Sequence, residues 1–446
     1  MAEKKQIEGK IFRTDSDLIE AIQEVMGSIP FLLKESKDIL GSIDKNVNLN
    51  YQSEKLLNLW KYMIGNAIVY LKKNDSREAH KDQMMLGVGR LHTYISEYNK
   101  FEKIFYGTIN NYRDHVIHAF RTYLLGDYLI RNSYGYSNID PKTNGIDISK
   151  HEKEAMWCII SLSHDISYPL EKIHKLNEPI RNILKTYGPL VINDLSFNYF
   201  PQFSEISKYA IQFLSSRIET VGGKKVLHVQ PKYYQKFLSG LADYNHGVLS
   251  SILLMKDLVY FKESDYSIDT HNEFIPEDLR QFTIRRDILR SIASHNCPDI
   301  YYLTGTNFSF ILKAIDEMQE WGRPRLSDIT KRGGTNTRLQ INKFNETEVD
   351  YKITFEYPDE YYKIASNEEK EYSKTEVSEY FKIKCGEWMN VLRSAVKGAN
   401  RNLILNFTVE YNIDENKQFK LTHSNPLEIE ITPLPVKESI LKDKLF

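Results

Sequence analysis

The sequence has few cysteines, no long apolar run and almost no net charge, and each of these shortages narrows what the protein can be. Only three cysteines occur in 446 residues, Cys158, Cys297 and Cys385, and no two of them form a CxxC pair. This number is too small for a disulfide framework and is typical of a reducing compartment. No apolar run approaches the roughly 18 residues that span a bilayer, and the first residues, MAEKKQIEGK, lead into no signal-peptide core. We therefore expect a cytoplasmic protein without a membrane partner.

The charge balance gives the protein no overall field that would attract a polyanion. Lysine and arginine number 59, aspartate and glutamate 60, and the formal net charge is −1. Proteins that bind nucleic acid usually concentrate lysine and arginine on one face, and the sequence has no basic stripe of that kind. Nucleic acid is therefore not an expected partner, and an anionic substrate would have to be held by a few local cationic side chains.

The spacing of apolar residues predicts a mainly α-helical chain. From residue 15 to about residue 110 apolar residues recur every three or four positions, which predicts an N-terminal helical region over residues 1–110. The middle of the chain, residues 111–325, is also rich in helical patterns and is interrupted by the turn-forming residues Asn132–Gly145. A less regular stretch at about residues 186–232 has the features of a surface insertion.

The C-terminal quarter of the chain has a different pattern. Gly322–Thr337 contains the glycine, proline and polar residues that are typical of a linker. After it, the period-two runs TEVDYKITFEY, LILNFTVEY and LEIEIT predict strands. The helical stretch KTEVSEYFKIKCGEWMNVLRSAV lies between the first two runs, so residues 338–446 are expected to form a small α+β accessory domain with an antiparallel sheet.

In the helical middle, histidine and aspartate stand at positions that a core residue would normally fill. His118 shares a helix face with Leu125 and Leu129. The apolar helix AMWCIISLS ends in the adjacent pair His164 and Asp165. Both patterns direct chemically active side chains toward the protein interior.

Three more helices repeat this arrangement further along the chain. His246 precedes a mostly apolar helical run, and the small residues Gly247 and Ser250 beside it would let another helix approach closely. His295 continues a stripe of isoleucines on the helix QFTIRRDILRSIAS. Asp316 follows a phenylalanine and a leucine at four-residue spacing in NFSFILKAIDEM, which puts the carboxylate on an apolar face.

Each of these residues has an ordinary structural explanation when it is taken alone. A single inward histidine is more often a hydrogen-bonded core residue than a ligand, and Asp316 could pair with Lys313. Burying several imidazoles and two carboxylates in one helical region, however, costs free energy unless something satisfies their polar atoms. Divalent cations do so, because imidazole nitrogens and carboxylate oxygens are their usual ligands and a carboxylate can bridge two ions. The sequence therefore predicts a metal site.

The order of these residues is similar to the H…HD…H…H…D signature of the HD superfamily of metal-dependent phosphohydrolases. The resemblance covers residues 111–325, and the flanking sequences IHAFRTYLL, SHD, NHGVLSS and ASHN support it. It implies an HD-domain helical core that binds two divalent metal ions, of manganese, magnesium, iron, cobalt or zinc. Asp165 resembles the catalytic carboxylate that bridges both ions. The implied ligands are His118, His164, Asp165, His246, His295 and Asp316.

Two residues near the first histidine either compete with it or support it. His115 lies one turn before His118 on nearly the same helix face. The HAFR context of His118 is more similar to the helix of the family, so His118 is the preferred ligand. Asp114 and His115 are then expected to orient a ligand or a water molecule.

The residues that would handle the substrate depart from the family pattern at one position. Many members carry lysine three residues after the motif aspartate, where this chain has Tyr168. The resemblance makes Lys172, one turn further on, the candidate for the catalytic role of that lysine, and Tyr168 a candidate substrate contact. Arg121, Arg323 and Arg325 lie near ligand positions in the sequence, and a planar guanidinium group binds phosphate oxygens in pairs.

The resemblance implies a metal-dependent phosphohydrolase or phosphodiesterase whose substrate is a nucleotide or a related small phosphate ester. Three alternatives use the same residues. One is a di-iron oxygenase similar to myo-inositol oxygenase, one is an HD nuclease, and the third is a regulatory protein that senses nucleotides through an HD scaffold. The N-terminal and C-terminal regions fit such a regulatory role, and they could equally mediate formation of a homo-oligomer.

Overall fold

In the computed structural model the protein is mainly helical and carries a small amount of β-sheet. No helix in the described part of the chain is both long enough and apolar enough to cross a bilayer. The structure describes residues 9–13, 15–23, 53–73, 88–108, 113–133, 135–140, 146–172, 204–258, 276–298, 300, 305–323, 336–356, 366–392, 404–414, 417–424 and 428–432.

Helices dominate the described residues of both the N-terminal region and the middle of the chain, as the apolar spacing predicts. A short 3₁₀ turn at Tyr136–Asn138 lies within the stretch predicted to form turns. The helices are α1 (Asp15–Gln23), α2 (Ser53–Lys73), α3 (Val88–Thr108), α4 (Val116–Ser133), α5 (Lys150–Ser163), α6 (Tyr168–Lys172), α7 (Ser204–Ser215), α8 (Pro231–Ala242), α9 (His246–Leu258), α10 (Pro276–Ser294), α11 (Phe308–Met318) and α12 (Asn367–Leu392).

Local sequence patterns fix where two functionally important helices begin. Ser149 caps α5 by accepting a hydrogen bond from Glu152 N, and the Glu152 carboxylate accepts from Ser149 N at 2.9 Å, which completes a capping box. Asn307 Oδ1 accepts from Phe310 N at 2.8 Å and caps α11. These caps set the start of the helix that leads to the His-Asp pair and of the helix that carries the last predicted ligand.

The strands form one six-stranded sheet and one hairpin. The sheet has the order β1-β4-β5-β6-β7-β8, and the hairpin consists of β2 and β3. The strands are β1 (Lys10–Phe12), β2 (Ser216–Val221), β3 (Lys224–Val229), β4 (Asn336–Phe344), β5 (Glu348–Glu356), β6 (Ile404–Asp414), β7 (Lys417–Ser424) and β8 (Glu428–Thr432).

The large sheet is mixed, so the expectation of a purely antiparallel sheet is wrong. β5 and β6 are parallel because α12 crosses between them, whereas the other neighbouring strands are antiparallel. Three of its strands, β1, β4 and β7, are missing from the sequence prediction, and β4 begins at Asn336, inside the predicted linker. The edge strand β1 comes from the other end of the chain. Residues 324–335 of the predicted linker lie outside the described residues.

Residues 204–232 are more regular than the sequence pattern indicates. The helix α7 leads directly into the hairpin of β2 and β3. Gly222 and Gly223 make the two-residue turn with φ values of 59° and 82°, a left-handed conformation that glycine adopts without strain. Residues 186–203 of the predicted insertion lie outside the described residues.

One hydrophobic core extends from the N-terminal helices through the helical middle to the sheet. The ring of Phe12, on β1, stacks on Trp321 at a centroid distance of 6.0 Å and meets Tyr128 of α4 edge-on at 5.6 Å. The pairing of β1, β4 and β5 puts Tyr351 on the same face of the sheet as Phe12, and Trp388 of α12 donates a hydrogen bond from Nε1 to Tyr351 OH at 2.7 Å. Packed side chains therefore cross the boundaries predicted near residues 110 and 338, and the division into three domains stays a prediction.

Candidate metal centre

Five helices bring the six predicted ligands to one place. α4 carries His118, the turn after α5 carries the His-Asp pair, α9 begins with His246, His295 follows α10, and α11 carries Asp316. All of these residues are buried except Asp316, whose side chain is 22% exposed. Two groups of three have donor atoms within 4.8 Å of one another and could each hold a metal ion: His118, His164 and Asp316, and His164, Asp165 and His295.

The first group of donors lies around Asp316. His118 Nε2 is 2.8 Å from Asp316 Oδ1. His164 Nε2 is 3.8 Å from the same oxygen. Two imidazole nitrogens therefore converge on one carboxylate oxygen that lies at the wall of a cavity.

The two oxygens of Asp165 face different histidines. Oδ2 lies 3.4 Å from His164 Nε2, whereas Oδ1 lies 3.2 Å from His246 Nε2 and 3.5 Å from His295 Nε2. The last two nitrogens are 3.2 Å apart. Asp165 is thus the carboxylate that connects the donors around Asp316 with His246 and His295.

The four imidazole rings share one orientation, in which Nδ1 bonds to a protein oxygen and Nε2 points to the carboxylates. A neutral imidazole that donates from Nδ1 presents a lone pair at Nε2, which is the form that binds a metal ion. The oxygens on the Nδ1 side are Gln319 Oε1 for His118 (2.5 Å), Ser161 O for His164 (2.8 Å), Ile292 O for His295 (2.6 Å) and Glu171 Oε2 for His246.

Asn296 Nδ2 lies 3.2 Å from His246 Nε2, but among the described residues no such amide lies beside the other three inward nitrogens, and a cation would correct this deficit. His164 Nε2 is buried and has no hydrogen-bond partner among the described residues. If His246 and His295 both donate from Nδ1, the contact between their Nε2 atoms sets two lone pairs face to face. Such an arrangement is unfavourable unless a proton or a metal ion is shared between the acceptors. The donor set therefore fits divalent cations.

The ionisation of the carboxylates also suits a cation site. Burial alone would raise the pKa of Asp165, but His164, His246 and His295 hold it well below the usual range. Burial would also raise the pKa of Asp316, but the close contacts with His118 and His164 hold it well below the usual range. Both side chains are therefore anionic near pH 7.

The histidines divide into two types. Burial, followed by the charge of Arg323, lowers the pKa of His118 to about 4, so this ring is neutral and free to bind a metal ion. Burial alone would also lower the pKa of His246, but hydrogen bonds to Asp165 and Glu171 raise it to about 9. Without a metal ion, His246 is thus the ring that takes up the positive charge which the anionic surroundings favour.

Helix α3, from the N-terminal region, supports the turn that carries the His-Asp pair. Tyr98 OH donates to Asp165 O at 3.3 Å, and Tyr94 OH donates to Ile166 O at 2.9 Å. Glu102, on the next turn, accepts from His115 N at 2.7 Å, where α4 begins. The sequence pattern shows α3 only as a helix, and it gives no sign that three of its side chains hold the site.

The close approach of α9 and α10 depends on small residues, as predicted. Ser250 Oγ accepts from Ser167 N at 3.1 Å and so connects α9 to the turn after Asp165. A Cβ atom on Gly247 would lie 2.7 Å from Ile292 O and 3.0 Å from the His295 ring. Only glycine therefore allows the two histidine-bearing helices to meet at this distance.

Asp114 and His115 lie beside the donors and make other contacts. Asp114 Oδ1 accepts from Ile117 N at 2.6 Å, which makes Asp114 the cap of α4. His115 stacks on Tyr168 with ring centroids 3.7 Å apart, at the wall of the cavity. The structure thus brings His118 rather than His115 into the donor cluster.

Lys172 and Glu171 have roles that differ from the sequence expectation. Lys172 pairs with Glu171, its Nζ lies 4.9 Å from the Tyr168 ring centroid, and it does not line the cavity. Glu171, which sequence reasoning missed, is the acceptor at His246 Nδ1. The only pattern that could have indicated it is a carboxylate one helical turn from Tyr168, since such groups often orient metal-bound histidines. Tyr168 itself lines the cavity, and burial raises its pKa to about 12.

The three arginines expected at the substrate have different positions. Arg121 is buried, forms an ion pair with Asp15 at 2.6 Å and donates to Gly322 O at 2.8 Å, so it supports the fold and not the cavity wall. Arg323 lines the cavity. Arg325 lies outside the described residues.

A cavity of about 200 Å³ opens beside the donors. Lys384 and Glu387 of α12 form part of its wall, together with Lys313 and Glu317 of α11. The sequence pattern predicted α12 as a helix but not as part of this wall, because a helix between two strands carries no mark of its packing against a distant site. The complete lining is Arg113, His115, His118, Asp165, Tyr168, His246, His295, Asn296, Lys313, Asp316, Glu317, Arg323, Lys384 and Glu387.

The cavity thus places cationic side chains on one side of a histidine and carboxylate cluster that could hold divalent ions. That combination can bind an anionic ligand beside a metal-activated water molecule. Comparisons of the chain with models of protein families, with curated proteins and with solved structures found no match.

Proposed function

We propose that the protein is a metal-dependent hydrolase of the HD superfamily that acts on a nucleotide or a related small phosphate ester. The observation that supports this most strongly is the common orientation of four histidines, whose Nε2 atoms converge on Asp165 and Asp316 while protein oxygens engage Nδ1. The order of the ligands along the chain is that of the superfamily signature, and Asp165 stands where the signature has the shared carboxylate.

The residues around the cavity would have different roles in such a reaction. Divalent ions at this site would supply a water molecule of lowered pKa and offset negative charge on the attacked phosphoryl group. Asp165, with one oxygen toward His164 and the other toward His246 and His295, can hold two ion positions together. Gln319, Glu171 and two backbone carbonyls fix the imidazole rings. Tyr168, with its pKa raised by burial to about 12, remains a phenol that can donate a hydrogen bond to the substrate.

The size and lining of the cavity favour a small substrate over a polymer. Its volume of about 200 Å³ is below the 300–1,000 Å³ that is typical of pockets for drug-sized ligands. α12 closes one side with Lys384 and Glu387. A nuclease would need a long groove with a basic stripe, whereas in this small cavity glutamates are interspersed among the described cations Arg113, Lys313, Arg323 and Lys384.

The proposal is tested by metal analysis of the purified protein together with a phosphate-release screen over nucleotides, cyclic nucleotides and simple phosphate esters. Each divalent metal is added separately to protein that has first been treated with chelator. Wild type, Asp165→Ala and the control Asp147→Ala are compared, because Asp147 is exposed and lies outside the cavity. We expect wild type and Asp147→Ala to bind metal and release phosphate, and Asp165→Ala to lose both.

Two outcomes contradict the proposal. Equal metal content in wild type and Asp165→Ala would show that the donor cluster is not a metal site. Metal content that depends on Asp165, combined with dioxygen consumption by the iron-loaded protein and no phosphate release, would identify an oxygenase that uses the same ligands.

A further inference from the structure

The cavity contains four cationic side chains, and three of them are already paired with carboxylates. Lys313 Nζ lies 2.7 Å from Glu317 Oε1 and 2.9 Å from Glu387 Oε2. Lys384 pairs with Glu317 and with Glu320, the latter at 2.9 Å. Arg113 also forms an ion pair with Glu320. These cations have their charge compensated within the protein.

Arg323 is different, because among the described residues no carboxylate lies within ion-pair distance of it. Its Nη2 donates to the backbone oxygen of Asp114 at 3.2 Å. Its Nε is buried and has no hydrogen-bond partner among the described residues. Leaving a buried donor without an acceptor costs about 1–3 kcal/mol, and more for a charged group. A ligand oxygen in the cavity would provide the acceptor that this guanidinium lacks.

The electrostatic surroundings of Arg323 point the same way. Burial, and then the positive charge of Arg113, lower the pKa of Arg323, while Glu320, Asp316 and Asp165 act in the opposite direction only from a distance. The guanidinium groups of Arg113 and Arg323 thus both line the cavity, and only Arg113 forms an ion pair with a carboxylate, that of Glu320, among the described residues. An anion in the cavity would relieve this repulsion.

The backbone holds Arg323 in place by contacts that do not involve the donor cluster. It follows Gly322, whose φ of 67° lies in the left-handed region. The oxygen of Gly322 accepts from Arg121 Nη1 at 2.8 Å, and Arg121 is anchored by Asp15 of α1. A Cβ atom on Gly322 would lie only 2.6 Å from Arg121 Nη2. Arg121, expected to contact substrate, is instead a positioning residue for the segment that carries Arg323.

We propose that Arg323, with Arg113 near it, is the anion receptor of the cavity and binds the phosphoryl oxygens of the substrate. The identity of the anion as a phosphoryl group rests on the proposed function, whereas the receptor itself follows from the unpaired guanidinium. Its planar fork offers two parallel donors to one phosphate group, an interaction that lysine cannot reproduce.

The test measures binding of inorganic phosphate to the full chain by isothermal titration calorimetry, in the protein as purified and after treatment with chelator and reloading with magnesium. The variants are Arg323→Ala, Arg323→Lys and the control Arg217→Ala, an arginine on β2 whose side chain is 52% exposed. We expect Arg323→Ala to weaken phosphate binding about tenfold or more, as for the loss of a charge-assisted hydrogen bond. Arg323→Lys should be intermediate, and Arg217→Ala should match wild type.

The result separates this inference from the proposed function. Phosphate binding that depends on Arg323 supports the receptor even if the protein hydrolyses nothing. No phosphate binding by wild type, or equal binding by wild type and Arg323→Ala, overturns the receptor even if hydrolysis is found. Metal content and the unfolding midpoint of Arg323→Ala are measured in parallel, and Arg323→Lys replaces it as the decisive variant if Arg323→Ala is unfolded.

Discussion

At the scale of single residues, the orientation of the ring distinguishes a metal ligand from an ordinary buried histidine. His115 and His118 are one turn apart and both are buried. His118 bonds to Gln319 through Nδ1 and faces Asp316 with Nε2, whereas His115 stacks on Tyr168. The sequence context favours His118, but the reason for the difference lies in Gln319, which a motif does not include.

Glu171 provides a prediction at this scale. Glu171→Gln removes the charged acceptor at His246 Nδ1. Loss of such an orienting carboxylate typically lowers metal affinity 10–100-fold, and we expect a decrease within this range. Competition with a chelator of known affinity measures it.

Lys172→Ala is the matched control for Glu171→Gln. Because Lys172 pairs with Glu171 and does not line the cavity, we expect its metal affinity and turnover to stay close to wild type. If the chelator concentration that removes half of the metal is the same for Glu171→Gln and wild type, Glu171 does not contribute to metal binding. Loss of turnover at full metal occupancy in Lys172→Ala would restore the catalytic role that the sequence resemblance gives to Lys172.

At the scale of secondary structure, the elements with strong local patterns were predictable and the others were not. The stripe of isoleucines that leads to His295 and the small residues beside His246 correctly indicate helices that meet closely. The strand β4 was missed because NTRLQINKF directly follows a glycine-rich stretch that resembles a linker. The edge strand β1 is three residues long, and such a strand is defined by its partner and not by its own sequence.

The packing of α9 against α10 can be tested by replacing Gly247 with alanine. In Gly247→Ala the new methyl group would meet Ile292 O at 2.7 Å and the His295 ring at 3.0 Å, so the helices must separate. Overpacking of this kind typically costs about 1–3 kcal/mol, and a shift of His295 from His246 should also reduce metal affinity. Urea unfolding and metal titration measure the two effects.

Gly386→Ala is the control, because a Cβ atom there meets nothing within 4 Å and the residue lies inside α12. Alanine in a helix interior is favoured over glycine by about 0.5–1 kcal/mol, so Gly386→Ala should be slightly more stable than wild type. If Gly247→Ala proved as stable as Gly386→Ala and bound metal normally, the close helix contact would not be required for the site.

At the scale of the whole molecule, the site belongs to parts of the chain that the sequence assigns to three regions. α3 supports the turn of Asp165, the helical middle supplies the donors, and α12 closes the cavity with Lys384. Motif order and apolar spacing are local properties, so they predict the donors. They do not predict α12 as a wall, since its position depends on the register of the sheet and on ion pairs such as that of Lys384 with Glu317.

Those ion pairs couple the sheet to the cavity in a way that depends on pH. Burial alone would raise the pKa of Glu320, but Arg113 and Lys384 hold it below its usual value of 4.5. A carboxylate whose pKa is lowered by folding stabilises the protein above its unfolded pKa, and this stabilisation is lost as the pH falls. The contact between α12 and the end of α11 is therefore strongest near neutral pH and weakens on acidification.

Lys384→Met, which keeps most of the side-chain volume, removes the cation that Glu317 and Glu320 share. At pH 7 we expect the free energy of unfolding to fall by about 1.5–3 kcal/mol, the usual worth of a hydrogen bond to a charged group. Below about pH 4.5 the difference from wild type should shrink, because the unfolded chain then binds a proton at Glu320 while the folded protein keeps this carboxylate ionised. Urea unfolding at pH 7 and at a pH below about 4.5 measures the change in the free energy of unfolding. Lys382→Met, on the same helix, is the control. A loss of equal size at both pH values, or the same loss in Lys382→Met, would show that the buried charges do not hold α12 against the cavity.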